Sequence, residues 1–298
     1  MTIDANSHRP AALSWSSASF QRRMGHASLY LIVVLVAVFF MGPFFWTVSS
    51  SLKHPTELYV FPPRMLPAVP QWGNWVEVWR QVDFALYFRN SIIVTGLALT
   101  GQVTSATLVA YGFARFRFPG RESLFLLVLS TMILPGEVTL IPQFLMFREV
   151  GWLDSYKPMI VPSYFGGGAF FIFLLRQFFL TIPLDLDESA KIDGATSFRV
   201  LWSILLPLCK PVLATVGIFS FLNHWNAFLV PLIYLNSGEK FTLPLGLRYF
   251  QLEVESGGDP KDHLLMAASL TMAIPEIVLF FTMQRYFVRG VVMSGIKG

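Results

Sequence analysis

Six apolar runs, each close to the roughly 20 residues that cross a bilayer as a helix, dominate this 298-residue chain. They cover about 28–51, 90–113, 123–146, 159–180, 208–235 and 264–287. In lipid the backbone must satisfy its own hydrogen bonds, and runs of this length do so as helices rather than strands. The expected fold class is therefore an all-α membrane protein with six transmembrane helices. Composition agrees: 13% of residues are charged, against about 25% in soluble domains. The net charge of +4 does not point to nucleic acid, because the basic residues punctuate apolar runs instead of forming a patch. Prolines at 43, 135, 142, 231 and 275 fall inside the runs and predict kinks. Such kinks either act as hinges or are tolerated by neighbouring helices.

The polar stretch 1–27, with Arg9, Arg22 and Arg23, resembles the charged start of a signal peptide. The run that follows is longer than a signal core of about 7–15 residues and lacks a small-x-small cleavage site, which predicts a retained first span. Placing the N-terminus in the cytoplasm puts 13 of the 22 basic residues on that side, including the three arginines of the short loop ARFRFPGRE. Both termini are then cytoplasmic. The connection Lys53–Arg89, with Trp72, Trp75 and Trp79, reads as an outer interfacial helix or lid. The acidic connection Asn236–His263 lies outside and is long enough to reach another protein. No linker or repeat splits the chain. Its parts are a cytoplasmic tail 1–27, a membrane body 28–290 containing a polar loop 181–211, and a cytoplasmic tail 291–298.

Several chemistries are not expected. The single cysteine, Cys209, rules out an intramolecular disulfide, and the five histidines are scattered without metal-ligand spacing. Gly290–Lys297 imitates the glycine spacing of a nucleotide-binding loop. It lacks Gly-Lys-Ser/Thr and follows a helix, so it is not expected to bind nucleotide.

The polar interruption Asp185–Pro211 carries its own helical signals. Asp185 and Glu188 have capping-box spacing, with Pro183 upstream. Gly194 falls where a short helix would end. Thr196 or Ser197 then caps a second helix, closed by Pro207, whose Phe198, Leu201, Trp202 and Leu205 share a face. A helix–turn–helix of this kind either rests on lipid headgroups or receives a partner.

The spacing Glu188-x-Ala190, three residues, Gly194, nine residues, Ile204-x-Leu206-Pro207 resembles the coupling loop of ABC-importer permeases, with Ser189 in place of the usual middle alanine. The segments FLLRQFFLTIP, KIDGA, HWNAFLVPLIYLNS, FTLPLGL and QRYFVRGVVMSGIKG are similar to the carbohydrate-importer branch, in particular to the second, shorter permease of the maltose-transporter type. The resemblance runs from the first span to the last residue. It implies the type I importer fold and a bacterial or archaeal plasma-membrane location. The implied partners are a second, related permease, two ATPase subunits carrying ATP and Mg, and an extracytoplasmic solute-binding protein. No cofactor is expected on this chain.

The resemblance also implies residue roles. Glu188, Ser189, Ala190, Asp193, Gly194, Ile204, Leu206 and Pro207 would form the ATPase-coupling element, with Glu188, Ala190 and Gly194 in the ATPase cleft. Ser294, Gly295 and Lys297 would touch the ATPases. Leu245, Gly246, Tyr249 and Gln251 would meet the binding protein. Glu137 and Glu276 lie at membrane depth, where ionisable groups are costly and often functional. Glu137 would hydrogen-bond sugar hydroxyls, hold a gate or pair with the partner permease. Asn223, Trp225 and Asn226 offer the stacking and hydrogen bonds a sugar needs, or else serve helix packing. Gly166–Gly168 reads as a site of close helix approach. The expected function is sugar import by alternating access. Glycerol phosphate or an amino acid is the nearer alternative solute. A secondary transporter would instead show inverted repeats, which are not evident.

Overall fold

The computed structural model describes residues 14–248, 250 and 260–295, and every regular element among them is helical. Helix α1 (Ser14–Ser51) begins well upstream of the apolar run. At 1.5 Å per residue its 38 residues extend about 57 Å, longer than a hydrocarbon core of about 30 Å. The most apolar stretch of its Gly25–Ser51 portion buries none of its residues, while its far end leans on the last helix. A helix apolar all round and without protein cover faces lipid or another chain. Helix α2 (Gly73–Gln81) carries Trp75 and Trp79. It buries Val78 and sets Trp79 edge-on to Phe84 at 4.8 Å.

Helix α3 (Phe84–Arg115) is the central post, starting ahead of the predicted residue 90. Its buried stripe is rich in small residues, among them Ala98, Gly101, Ser105, Ala106, Ala110 and Ala114. Small side chains let neighbouring backbones approach closely, which is how helices associate where lipid removes the hydrophobic drive.

The third run is bent. Helix α4 (Arg121–Ser130) continues through a tight turn to Ile133, and α5 (Gly136–Glu149) leaves it at 97°. A residue before proline is pushed out of helical geometry, and Leu134, preceding Pro135, is extended (φ −79°, ψ 117°). The fourth run is a short helical entry, Lys157–Ile160 and Val161–Tyr164, followed by α6 (Ala169–Thr181). Between them Gly166, Gly167 and Gly168 all have positive φ (93°, 60°, 84°). A Cβ on Gly167 would lie 2.4 Å from the Ala106 amide nitrogen, so this is a close approach to α3.

Helices α7 (Asp185–Ile192) and α8 (Ser197–Leu208) form the polar module, and α9 (Lys210–Trp225) turns away from α8 by 84°. The fifth run, expected as one span over 208–235, is instead α9 followed after Asn226–Phe228 by the short α10 (Leu229–Tyr234). Helix α11 (Leu243–Leu247) packs on α3. Helix α12 (Asp262–Gly295) passes residue 287 and takes in most of the expected tail. Among the described residues four helices are long and apolar enough to cross a membrane, or up to six if each bent pair counts as one span. Pro43 and Pro275 sit inside the continuous helices α1 and α12.

Candidate functional site

The module formed by α7 and α8 is held from within by its own caps. Asp185 does not cap α7: the capping position is Leu184, helical in conformation (φ −67°, ψ −24°) and without a side-chain bond. Asp185, Asp187 and Glu188 occupy the first turn instead, where negative charge meets the positive end of the helix dipole. The end of α7 is a Schellman motif. The Gly194 amide donates to the Lys191 carbonyl at 3.0 Å and the Ala195 amide to Ala190 at 2.9 Å, with Gly194 at φ 79°. Thr196 is extended (φ −71°, ψ 157°), and its hydroxyl accepts from the Arg199 amide at 3.4 Å.

Pro207 does not close the second helix. The chain widens to a five-residue turn over Leu201–Leu205, where the Leu206 amide reaches back to Leu201, and stays helical to Leu208. A proline ring clashes with the carbonyl four residues earlier, and the widened turn gives it room. The expected common face of Phe198, Leu201, Trp202 and Leu205 is also split. Leu201 and Leu205 are buried with Val200 against the core, while Phe198 (65% exposed) and Trp202 (64%) stack on each other at 6.3 Å on the open side. The core under α8 holds one stripe of side chains and leaves the adjacent stripe outside.

The module is anchored to α3 by contacts the sequence reading missed. Asp187 and Ala190, three residues apart, both face inward. The Asp187 Oδ2 and Arg115 Nε atoms are 3.0 Å apart, with both side chains almost fully enclosed (7% and 5% exposed), although not aligned as a hydrogen bond. Arg115 Nη2 donates to the Ile182 carbonyl at 3.0 Å, and the Tyr111 hydroxyl donates to the Ser197 carbonyl at 3.0 Å. Beside this pair, Arg176 on α6 reaches Glu122 at 3.1 Å and lies 4.0 Å over the Phe125 ring. Neither Arg115 nor Arg176 was assigned a structural role from the sequence. Pairing across 72 positions leaves no local signal, but the i, i+3 spacing of Asp187 and Ala190 marks their shared face.

This geometry divides the expected coupling residues. Glu188, Ser189, Asp193, Gly194 and Pro207 lie on the open side, Ile204 and Leu206 are half-buried, and Ala190 is packed into the protein's own core. Ala190 therefore does not present its methyl group to a partner's cleft. Ile192, 86% exposed, stands on the open side with the Phe198–Trp202 stack.

A second feature is a cavity of about 520 Å³ between α3, α5, the fourth-run entry and the α9–α10 junction. Glu137, Thr139, Gln143 and Asn223 line it. Trp225 and Asn226 do not. The Trp225 indole is buried against Phe88 and Phe221, and its N–H donates to the Met272 carbonyl at 3.0 Å. Asn226 donates to Glu276 Oε1, which gives that carboxylate a partner on this chain. Gln102 Oε1 accepts from both Ser220 and His224, joining α3 to α9.

The expected binding-protein contacts are placed differently from one another. Leu245 and Gly246 are buried, and a Cβ on Gly246 would meet the Tyr87 ring at 2.2 Å, so neither offers a surface. Tyr249 and Gln251 lie outside the described residues. Nearby, Asp154 (φ 51°) fastens two connections. Its carboxylate accepts from the Asn236 and Ser237 amides, the Ser237 hydroxyl and Lys240 Nζ, the last at 2.7 Å. The Lys240 ammonium first, then the Ser237 donors, hold this carboxyl far below its ordinary value of 3.8. Ser294 and Gly295 end α12, and Lys297 lies outside the described residues. No group of potential metal ligands occurs among the described residues.

The family described as "Binding-protein-dependent transport system inner membrane component" matches residues 102–293. The arabinooligosaccharides transport system permease protein AraQ of Bacillus subtilis is 33% identical over 276 residues, covering 91% of this chain and 95% of that protein. The sn-glycerol-3-phosphate transport system permease protein UgpE of Yersinia enterocolitica is 31% identical over 272 residues, covering 89% and 95%. Among solved structures, a chain of a bacterial ABC transporter involved in the import of alginate shares the fold, with a TM-score of 0.77, 23% identity and coverage of 90% and 98%. With a family match over most of its length and full-length relatives above 30% identity, this chain belongs to the binding-protein-dependent transport system inner membrane components, the permeases of ABC importers.

Proposed function

We propose that this chain is one of two related permease subunits of a sugar importer. Its α7–α8 module would be gripped by one of two ATPase subunits, and a binding protein would deliver the solute from outside. The observation that carries this reading is the anchored module. Glu188, Gly194, Ile192 and the Phe198–Trp202 stack stand open, while a buried ion pair fixes the same element to the central helix. A push on α7 is thus transmitted to α3 rather than absorbed in a loop. ATP and Mg would bind the partner subunits, the termini would be cytoplasmic, and α12's last turn would approach the ATPases. The sugar assignment draws on the likeness to the arabinooligosaccharide permease; the likeness to the glycerol-phosphate permease keeps that solute as a second reading.

Transport here is a population shift: loaded binding protein and ATP favour one access state, and hydrolysis restores the other. The test is reconstitution of the purified complex with its binding protein and a panel of labelled sugars and glycerol 3-phosphate. Uptake that requires ATP and a sugar is the expected result. Uptake driven by an ion gradient without the ATPases contradicts the reading, and ATP-driven uptake of glycerol 3-phosphate alone selects the second one. Deleting 294–298 should alter the hydrolysis rate, and an unchanged rate removes the tail's role.

A further inference from the structure

The cavity beside α5 has an unusual lining for an interhelical space. Thr95 and Thr242 are 2% and 4% exposed, both line it, and neither hydroxyl has a hydrogen-bond partner among the described residues. A buried hydroxyl left unpaired is destabilising unless something arrives to bond it. Around them stand the amides of Gln143 and Asn223, the Thr139 hydroxyl and the Glu137 carboxylate. No Lys or Arg is among the described residues that line the space, and its one imidazole, His224, is engaged by Gln102. The volume falls within the roughly 300–1,000 Å³ usual for small-molecule sites.

From these groups we infer that this subunit itself holds the travelling solute in this cavity, and that the solute is a neutral polyhydroxyl compound rather than an anion. The inference rests on the importer reading and names the substrate class of its pathway. Hydroxyl groups both donate and accept, so they match unpaired threonines, amides and a carboxylate together. Glu137 accepts a charge-assisted bond from a sugar hydroxyl, and the same charge repels a carboxylate or phosphate brought to it without a compensating cation. Glu137 is thereby a specificity-determining residue, distinct from Trp225, whose ring is occupied in the core.

The experiment compares the intact complex with its Glu137→Gln and Thr95→Val variants in proteoliposomes. Loaded binding protein is supplied outside, with neutral trisaccharides and their uronate counterparts as probes. The wild type should take up a neutral probe in preference to its uronate. Glu137→Gln should slow that uptake by about tenfold, the share of one charge-assisted bond, with Thr95→Val lowering it less. Detergent-purified variant complexes of wild-type subunit composition show that the slowed uptake does not come from failed assembly. Uptake at wild-type rate in both variants, or wild-type preference for a uronate, overturns the inference while leaving the importer reading intact. Absence of any ATP-driven uptake by the wild type sinks that reading and this inference with it.

Discussion

The α7–α8 end and the α10–α11 end of this permease solve opposite problems. At the first, buried polar groups are paired: Asp187 with Arg115, Arg176 with the exposed Glu122, Tyr111 with the Ser197 carbonyl. At the second, polar groups line an open space with Thr95 and Thr242 unbonded, and the connections are fastened by the partly exposed Asp154–Lys240 clamp. A buried ion pair adds little net stability but is costly to break, so it suits an element that must not deform. An exposed clamp contributes little and is easily replaced, which suits connections at the surface. The two ends differ in what they are rigid against.

The comparison is broken most severely at Asp187. Asp187→Ala leaves Arg115 buried without its partner and should destabilise the protein by about 3–5 kcal/mol. The readout is thermal unfolding of the purified complex in detergent. The double variant Asp187→Leu with Arg115→Met should recover most of that loss, because a packed apolar pair replaces a buried ionic one at little cost. Next comes Gly167→Ala, which drives a methyl group into the Ala106 backbone and strains a positive φ; a loss of about 1–3 kcal/mol is expected in the same assay. Gly194→Ala has open space around it on this chain, so only the left-handed backbone opposes it, at about 1–2 kcal/mol. A larger loss at Gly194 than at Gly167 would reverse the assignment of which glycine is packed and which is conformational.

The smallest effect belongs to the Asp154 clamp. Its carboxyl titrates below the ordinary 3.8, so its contribution is fully present above that value and fades as pH falls through and beneath it. Limited proteolysis of the 236–248 connection should quicken below about pH 4 in the wild type, within the window set by this lowered value. Asp154→Asn should show the faster rate at neutral pH and lose the pH dependence. A wild-type connection equally protected at pH 3 and pH 7 would remove the clamp from the account.

The sequence made the membrane class and the coupling spacing legible, because hydropathy and local spacing are short-range signals. It did not reveal where the runs bend. Pro43 and Pro135 look alike in sequence, yet one sits inside a continuous helix and the other at a 97° corner. What separates them is tertiary: the most apolar stretch of α1 is left uncovered by the rest of the chain, whereas α5 swings aside to border a cavity. The inward turn of Ala190 and the burial of Trp225 were equally invisible. Both depend on helices distant in sequence, Ala190 beside Asp187 on α3's partner face and Trp225 bonded to α12. Capping was partly readable: Gly194 and Thr196 do what their residue types favour, while Asp185 yields the capping position to Leu184.

The central claim, that one end couples to ATP hydrolysis and the other to the solute, is tested most directly by measuring hydrolysis and uptake together in two variants. Gly194→Trp fills the open side of the module and should reduce both stimulated hydrolysis and uptake to background in an assembled complex. Glu137→Gln should slow uptake by about tenfold and keep more of the stimulated hydrolysis than Gly194→Trp does. Wild-type hydrolysis and uptake in an assembled Gly194→Trp complex would contradict the account.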